Sequence, residues 1–80
     1  MVVIIPSNKF KKDVKHVDNF LRKKLEDQIK KIIENPEIGK PLRYKRGERS
    51  LYIKPFRLIY AVQGNQLILL KFEHRKSVYK

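Results

Sequence analysis

The sequence predicts an α+β fold: a two-helix hairpin packed on one face of a small antiparallel sheet, in β-α-α-β-β-β order. Three observations carry this expectation. Apolar residues recur at helical spacing from Phe10 to Ile33. From Ser50 onward the pattern alternates with period two, as on a half-buried strand. The pair Gly64-Asn65 separates two such runs, which marks a tight hairpin turn.

Each element follows from its own residues. Val2 to Ile5 is an apolar, β-branched run closed by Pro6, hence a strand. Ser7 is suited to cap a short helix whose apolar face is Phe10, Val14 and Val17. Asp18 is suited to cap a longer one, with Leu21, Leu25, Ile29 and Ile32/Ile33 along one stripe and Phe20 beside it. Arg22, Lys23, Lys24, Lys30 and Lys31 fill the water-facing positions of that helix. The pattern stops at Asn35-Pro36, with Gly39 close behind. Residues 36–48 form a basic, Pro/Gly-punctuated connection in which Leu42 and Tyr44 either make a short strand or tack the loop down. Three strands follow, Leu51 to Ile53, Phe56 to Gln63 and Gln66 to Phe72. Lys54-Pro55 is the weaker of the two turn signals, because proline is awkward at the second turn position.

The turns fix a register. Around Gly64-Asn65, Arg57 is expected opposite Phe72, Ile59 opposite Leu70 and Ala61 opposite Ile68. Around Lys54-Pro55, Tyr52 is expected opposite Arg57 and Leu51 opposite Leu58. One face then holds Leu51, Ile53, Phe56, Leu58, Tyr60, Val62, Leu67 and Leu69, a core for the helices. The other holds Ser50, Tyr52, Arg57, Phe72 and His74, together with Ile59, Ala61, Ile68 and Leu70. Lys71 falls on the core face in this register, so it must reach out past the sheet edge.

The chain has 80 residues and 41% hydrophobic content, which suits one domain, residues 1–80, with no second core. A domain of this size buries only about 60% of its unfolded surface, so its stability is modest unless a partner adds to it. The absence of cysteine excludes disulfides, thiolate zinc sites and cysteine nucleophiles. No apolar run approaches the roughly 18 residues of a membrane span, and the start lacks the features of a secretory signal. The expected setting is the cytoplasm, with no membrane partner. A Gly-rich phosphate loop is missing, which argues against nucleotide hydrolysis.

Charge is distributed unevenly. Residues 1–39 carry nine Lys/Arg against six Asp/Glu, a balance of +3; residues 40–80 carry eleven against two, a balance of +9, within a total of +12. The second half also holds six of the eight aromatic residues. Cations interleaved with rings are the footprint of a surface for a polyanion with exposed bases. Lys40, Arg43, Lys45, Arg46, Arg49 and Lys54 read as a docking patch on this basis.

Residues 49–60, Arg-Ser-Leu-Tyr-Ile-Lys-Pro-Phe-Arg-Leu-Ile-Tyr, resemble the "RSLRVGDYRIIY" block of RelE-like toxins. Residues 74–79, His-Arg-Lys-Ser-Val-Tyr, resemble the family's "HRKxVY" ending, and Asn35 to Leu42 resemble its "NP-x-x-GKPL". The resemblance spans nearly the whole chain and is more specific for the RelE/ParE superfamily than for a branch within it. It implies the toxin of a type II toxin–antitoxin pair. RelE-like members are endoribonucleases that cut mRNA in the ribosomal A site; ParE-like members share the fold and poison DNA gyrase. The alternatives here are a ParE-like gyrase inhibitor without nuclease activity and an inactive RNA- or ribosome-binding module. The partners implied are a cognate acidic antitoxin, mRNA and the ribosome, with DNA reached only through the antitoxin.

The family's functional positions carry over as Arg57, His74, Arg75 and Tyr79. The family's basic residue in "RSLRV" is Tyr52 here, its "GDY" is Lys54-Pro55-Phe56, and an arginine that some nuclease members carry is Glu73. Cleavage by an internal 2′-OH needs in-line positioning and stabilisation of the phosphorane, with no cofactor or metal required. Arg57, whose planar fork can bind two phosphate oxygens, is the first candidate for that stabilisation; otherwise it is an outward strand residue. His74 serves as base or acid, or bonds a backbone carbonyl. Tyr79 stacks on a base, bonds the phosphate, or packs on the sheet. Arg75 and Lys76 are expected on backbone phosphates, and Tyr52 stacks, positions, or packs against Arg57.

Overall fold

The computed structural model describes residues 1–43 and 47–74. Strand β1 (Val3–Pro6) ends where proline supplies no further N–H to a ladder. Ser7 turns extended, and its side chain accepts from Phe10 N at 3.0 Å to start α1 (Asn8–Asp13). This helix is shorter than its apolar spacing suggests. Val14 is its C-cap, yet Val14 and Val17 still pack against the core. Asp18 accepts from Leu21 N at 2.8 Å and opens α2 (Asn19–Glu34), which ends at Asn35 ahead of Pro36. Leu25 and Ile32 on its stripe are buried. Phe20 faces water, with the Lys24 ammonium 4.7 Å from its ring centre. No helix among the described residues is long and apolar enough to cross a membrane.

Among the described residues the sheet has four further strands: β2 (Lys40–Pro41), β3 (Glu48–Ile53), β4 (Phe56–Gln63) and β5 (Gln66–His74). Their order is β1-β5-β4-β3-β2. The last four strands are antiparallel neighbours, but β1 runs parallel to β5, so the sheet is mixed. The antiparallel expectation holds wherever a turn links the strands. No turn joins β1 to β5, and nothing local in the sequence sets the direction of that pairing.

The β3–β4 register is the expected one, with Tyr52 opposite Arg57 and Leu51 opposite Leu58. The Lys54–Pro55 peptide bond is cis. The β4–β5 register begins as expected, from Gln63 opposite Gln66 to Tyr60 opposite Leu69, then slips by one residue between Tyr60 and Ile59. Beyond this bulge Ile59 faces Lys71, Leu58 faces Phe72, Arg57 faces Glu73 and Phe56 faces His74. The expected pairs Arg57–Phe72 and Ile59–Leu70 are therefore corrected. The cause is chemical. An unbroken ladder would drive Lys71 into the core and Phe72 out of it; one extra residue reverses both.

Helix α1 supports the bulge. Ser7 N donates to Leu69 O at 2.9 Å, and Ser7 Oγ donates to Leu70 O at 2.8 Å. Asp13 Oδ2 accepts from Phe72 N at 2.9 Å, while its other oxygen pairs with Lys9. β1 covers the margin of β5 only as far as Leu69, and these side chains take over backbone groups beyond it.

The core lies between the helices and one sheet face: Phe10, Leu25, Ile32, Ile53, Leu58, Tyr60, Leu67, Leu69 and Phe72. Fully buried Tyr60 accepts from Gly39 N at 2.9 Å and donates to Pro36 O at 2.8 Å. A Cβ on Gly39 would lie 2.8 Å from the Tyr60 ring and hydroxyl, so the loop can approach this closely only with glycine there.

Candidate functional site

The helix-free face of the sheet carries the candidate site. Alternation along β3 and β4 sends Ser50, Tyr52, Arg57 and Ile59 to this face. On β5 the bulge adds Lys71 and Glu73 to it. Between these strands and the segment after β2 lies an open hollow of about 360 Å³, lined by Leu42, Arg43, Glu48, Arg57, Ile59, Lys71 and Glu73. Its floor is apolar, since Ile59 is buried although it lies outside the helix-side core. Among the described residues its walls bear three cations and two carboxylates.

The charges are arranged around one carboxylate. Glu73 Oε2 lies 3.9 Å from Arg57 Nε, and Glu73 Oε1 lies 3.9 Å from Lys71 Nζ. These are ion-pair separations, longer than hydrogen bonds. Arg57 Nε is buried and has no hydrogen-bond partner among the described residues. Its Nε is thus an unspent donor beside a carboxylate at ion-pair distance. A tetrahedral oxyanion seated in the hollow would meet a guanidinium and an ammonium from adjacent strands.

The sequence-predicted residues separate into groups. Arg57 and Arg43 line the hollow, and Tyr52 stands beside Arg57 on the neighbouring strand, half exposed. Lys40 pairs with Ser50 at the sheet margin and lines a shallow groove with Tyr52. Lys54, at the β3–β4 turn, borders a groove shared with Lys24 and Asp27 of α2. Arg49 is engaged elsewhere: opposite Tyr60, it donates to Glu37 O at 3.2 Å and Gly39 O at 2.7 Å. Lys45, Arg46, Arg75, Lys76 and Tyr79 lie outside the described residues.

Phe72 and His74 do not share the Arg57 face, which corrects the sequence expectation. Phe72 is buried in the core, stacked on Phe56 at 4.8 Å, and His74 meets the same Phe56 ring edge-on at 5.1 Å. The bulge is the reason, since it exchanges the faces of the residues from Lys71 to His74. The same exchange delivers Lys71 and Glu73, which sequence reasoning missed. The available signal was Lys71 itself: a lysine at a core position of an ideal register points to a slip.

A family model described as "ParE toxin of type II toxin-antitoxin system, parDE" matches residues 4–79. No curated protein matches. Among solved structures, the chain is similar to the RelB–RelE antitoxin–toxin complex from Methanococcus jannaschii, at 24% identity, 94% coverage of each chain and a TM-score of 0.77. It is also similar to the intact Escherichia coli RelBE toxin–antitoxin complex, at 16% identity, with 92% of this chain and 96% of that one covered and a TM-score of 0.82. A YoeB/ParE toxin from Agrobacterium tumefaciens matches at 20% identity, 92% and 98% coverage and a TM-score of 0.80. At these identities the structures show a shared fold. The family model, spanning nearly the whole chain, shows that this protein belongs to the ParE toxins of type II toxin–antitoxin systems, within the RelE/ParE superfamily.

Proposed function

We propose that this toxin is an endoribonuclease that cuts mRNA, with the ribosomal A site as its setting, as the resemblance to RelE-like toxins implies. The observation that supports this most is the outward placement of Arg57 in an open cationic hollow with Lys71 and Arg43. In the proposed reaction the ribose 2′-oxygen attacks the adjacent phosphorus. The new P–O2′ bond forms as the P–O5′ bond breaks, leaving a 2′,3′-cyclic phosphate and a 5′-hydroxyl. The 2′-OH proton leaves to solvent and the departing 5′-oxygen takes one up. Arg57 stabilises the charge on the phosphorane, and Tyr52 offers a ring on which a base stacks. Arg75 and Tyr79 keep the phosphate and stacking roles that the resemblance implies. His74 has no part in this scheme, because its ring lies against Phe56 on the helix side.

The proposed partner is an acidic antitoxin. The net charge of +12 favours fast association with such a chain, and similar toxins are seen in complex with RelB and DinJ. A second reading, inhibition of DNA gyrase, is favoured by the ParE description of the matching family. Induced expression with mapping of mRNA 5′ ends separates the two. New ends that vanish with Arg57→Ala are expected for the nuclease. Intact mRNA together with blocked supercoiling by purified toxin would overturn it in favour of the gyrase reading.

A further inference from the structure

We propose that Lys71 and Arg57 form a two-pronged phosphate subsite, and that Glu73 is a built-in counter-anion which the RNA phosphate replaces. The inference rests on the nucleic-acid reading above and adds to it two residues that sequence patterns place wrongly. Three observations lead to it. The bulge in β5 spends one residue to bring Lys71 to the face of Arg57. The Glu73 carboxylate lies 3.9 Å from both cations, one oxygen toward each. Among the described residues Arg57 Nε nevertheless remains buried without a hydrogen bond, so the carboxylate balances its charge and leaves its donor unsatisfied. A phosphate has more acceptor oxygens than a carboxylate, arranged in three dimensions. One seated in this hollow can bond Arg57 and Lys71 together, with Arg43 on the same rim.

Glu73 then has two effects. In the free protein it keeps two like charges on adjacent strands from repelling each other. On binding it opposes the incoming phosphate, so the subsite favours ligands with several contacts over a stray anion. Lys71 and Arg57 are phosphate-contacting residues in this scheme, and Glu73 is a positioning residue.

The test is anisotropy of a fluorescent 2′-O-methyl oligoribonucleotide, which cannot be cleaved, titrated with full-length protein across a salt series. Lys71→Gln is expected to weaken binding roughly fivefold and to lower the salt slope by about 0.7, the value of one phosphate contact on a single strand. Lys71→Arg should restore both. Glu73→Gln is expected to tighten binding severalfold, while Lys30→Gln, an exposed charge on α2, should change it less than about twofold. Lys71→Gln behaving like Lys30→Gln, or Glu73→Gln binding no tighter than wild type, would overturn the subsite. If Arg57→Ala still weakens binding in that case, the nucleic-acid reading survives the loss. If Arg57→Ala also matches Lys30→Gln, both fall together. Circular dichroism melts on each variant identify any that fail to fold, and Lys71→Arg and Glu73→Gln keep the side-chain shapes closest to the originals.

Discussion

Replacing Tyr60 with phenylalanine removes one oxygen atom and two hydrogen bonds. The ring is fully buried and keeps its packing, so the change isolates the hydroxyl. Gly39 N–H loses its acceptor at 2.9 Å in a buried place, and Pro36 C=O loses its donor at 2.8 Å in a partly buried one. An orphaned buried polar group costs about 1–3 kcal/mol, and the Pro36 carbonyl, nearer to water, recovers part of its share. The expected loss is about 2 kcal/mol. For a domain of this length that lowers the melting temperature by about 8–16 °C. Thermal and urea denaturation followed by circular dichroism would measure it, with the urea m-value unchanged. A melting temperature within about 3 °C of wild type would refute the reasoning, because the loop would then be held by something other than this hydroxyl. A double-mutant cycle sharpens the test. Gly39→Ala places a Cβ 2.8 Å from the Tyr60 hydroxyl and from its ring. Its cost should fall by about 1 kcal/mol in the Tyr60→Phe background, since one of the two clashes is gone.

Other outcomes follow from the same geometry. Arg57→Ala should abolish toxicity on induction while the purified protein still binds its antitoxin, read by growth and co-purification. Asp13→Ala should lose about 1–2 kcal/mol in urea titrations, since it leaves Phe72 N–H without an acceptor and weakens the support under the bulge. Arg49→Gln should lower the melting temperature by several degrees, since it frees the carbonyls of Glu37 and Gly39. It should leave oligonucleotide affinity close to that of Lys30→Gln, which separates a structural arginine from a docking one. Phe20→Ala should change stability by less than about 0.5 kcal/mol, because the ring is largely exposed.

The elements with their own punctuation were legible in the sequence. Ser7 and Asp18 cap the helices as their spacing predicts, and Gly64-Asn65 and Lys54-Pro55 turn where expected. The core face from Leu51 to Leu69 was legible for the same reason, apart from Val62, which is exposed, since period-two alternation near a turn admits only one register. The direction of β1 was not, because it pairs with a strand some sixty residues away with no turn between them. The bulge was not legible as such. It depends on Ser7 and Asp13 meeting Leu70 and Phe72, contacts that no local window contains. For the site, Arg57 and Tyr52 were placed correctly, lying within a few residues of a turn. Phe72, His74, Lys71 and Glu73 all lie beyond the slip, and all four were assigned to the wrong side or passed over. Arg49 shows a different limit. A cation in a basic stretch looks like a ligand for an anion until a backbone carbonyl is found in front of it.

The single additional residue in β5 also bears on how variants of this toxin should be engineered. Removing it, or adding a second, would flip the parity of Lys71 to His74, so that Lys71 and Glu73 would point at the helices instead. Residue-by-residue grafting from a relative with an uninterrupted ladder would commit the same error without changing the length of the chain.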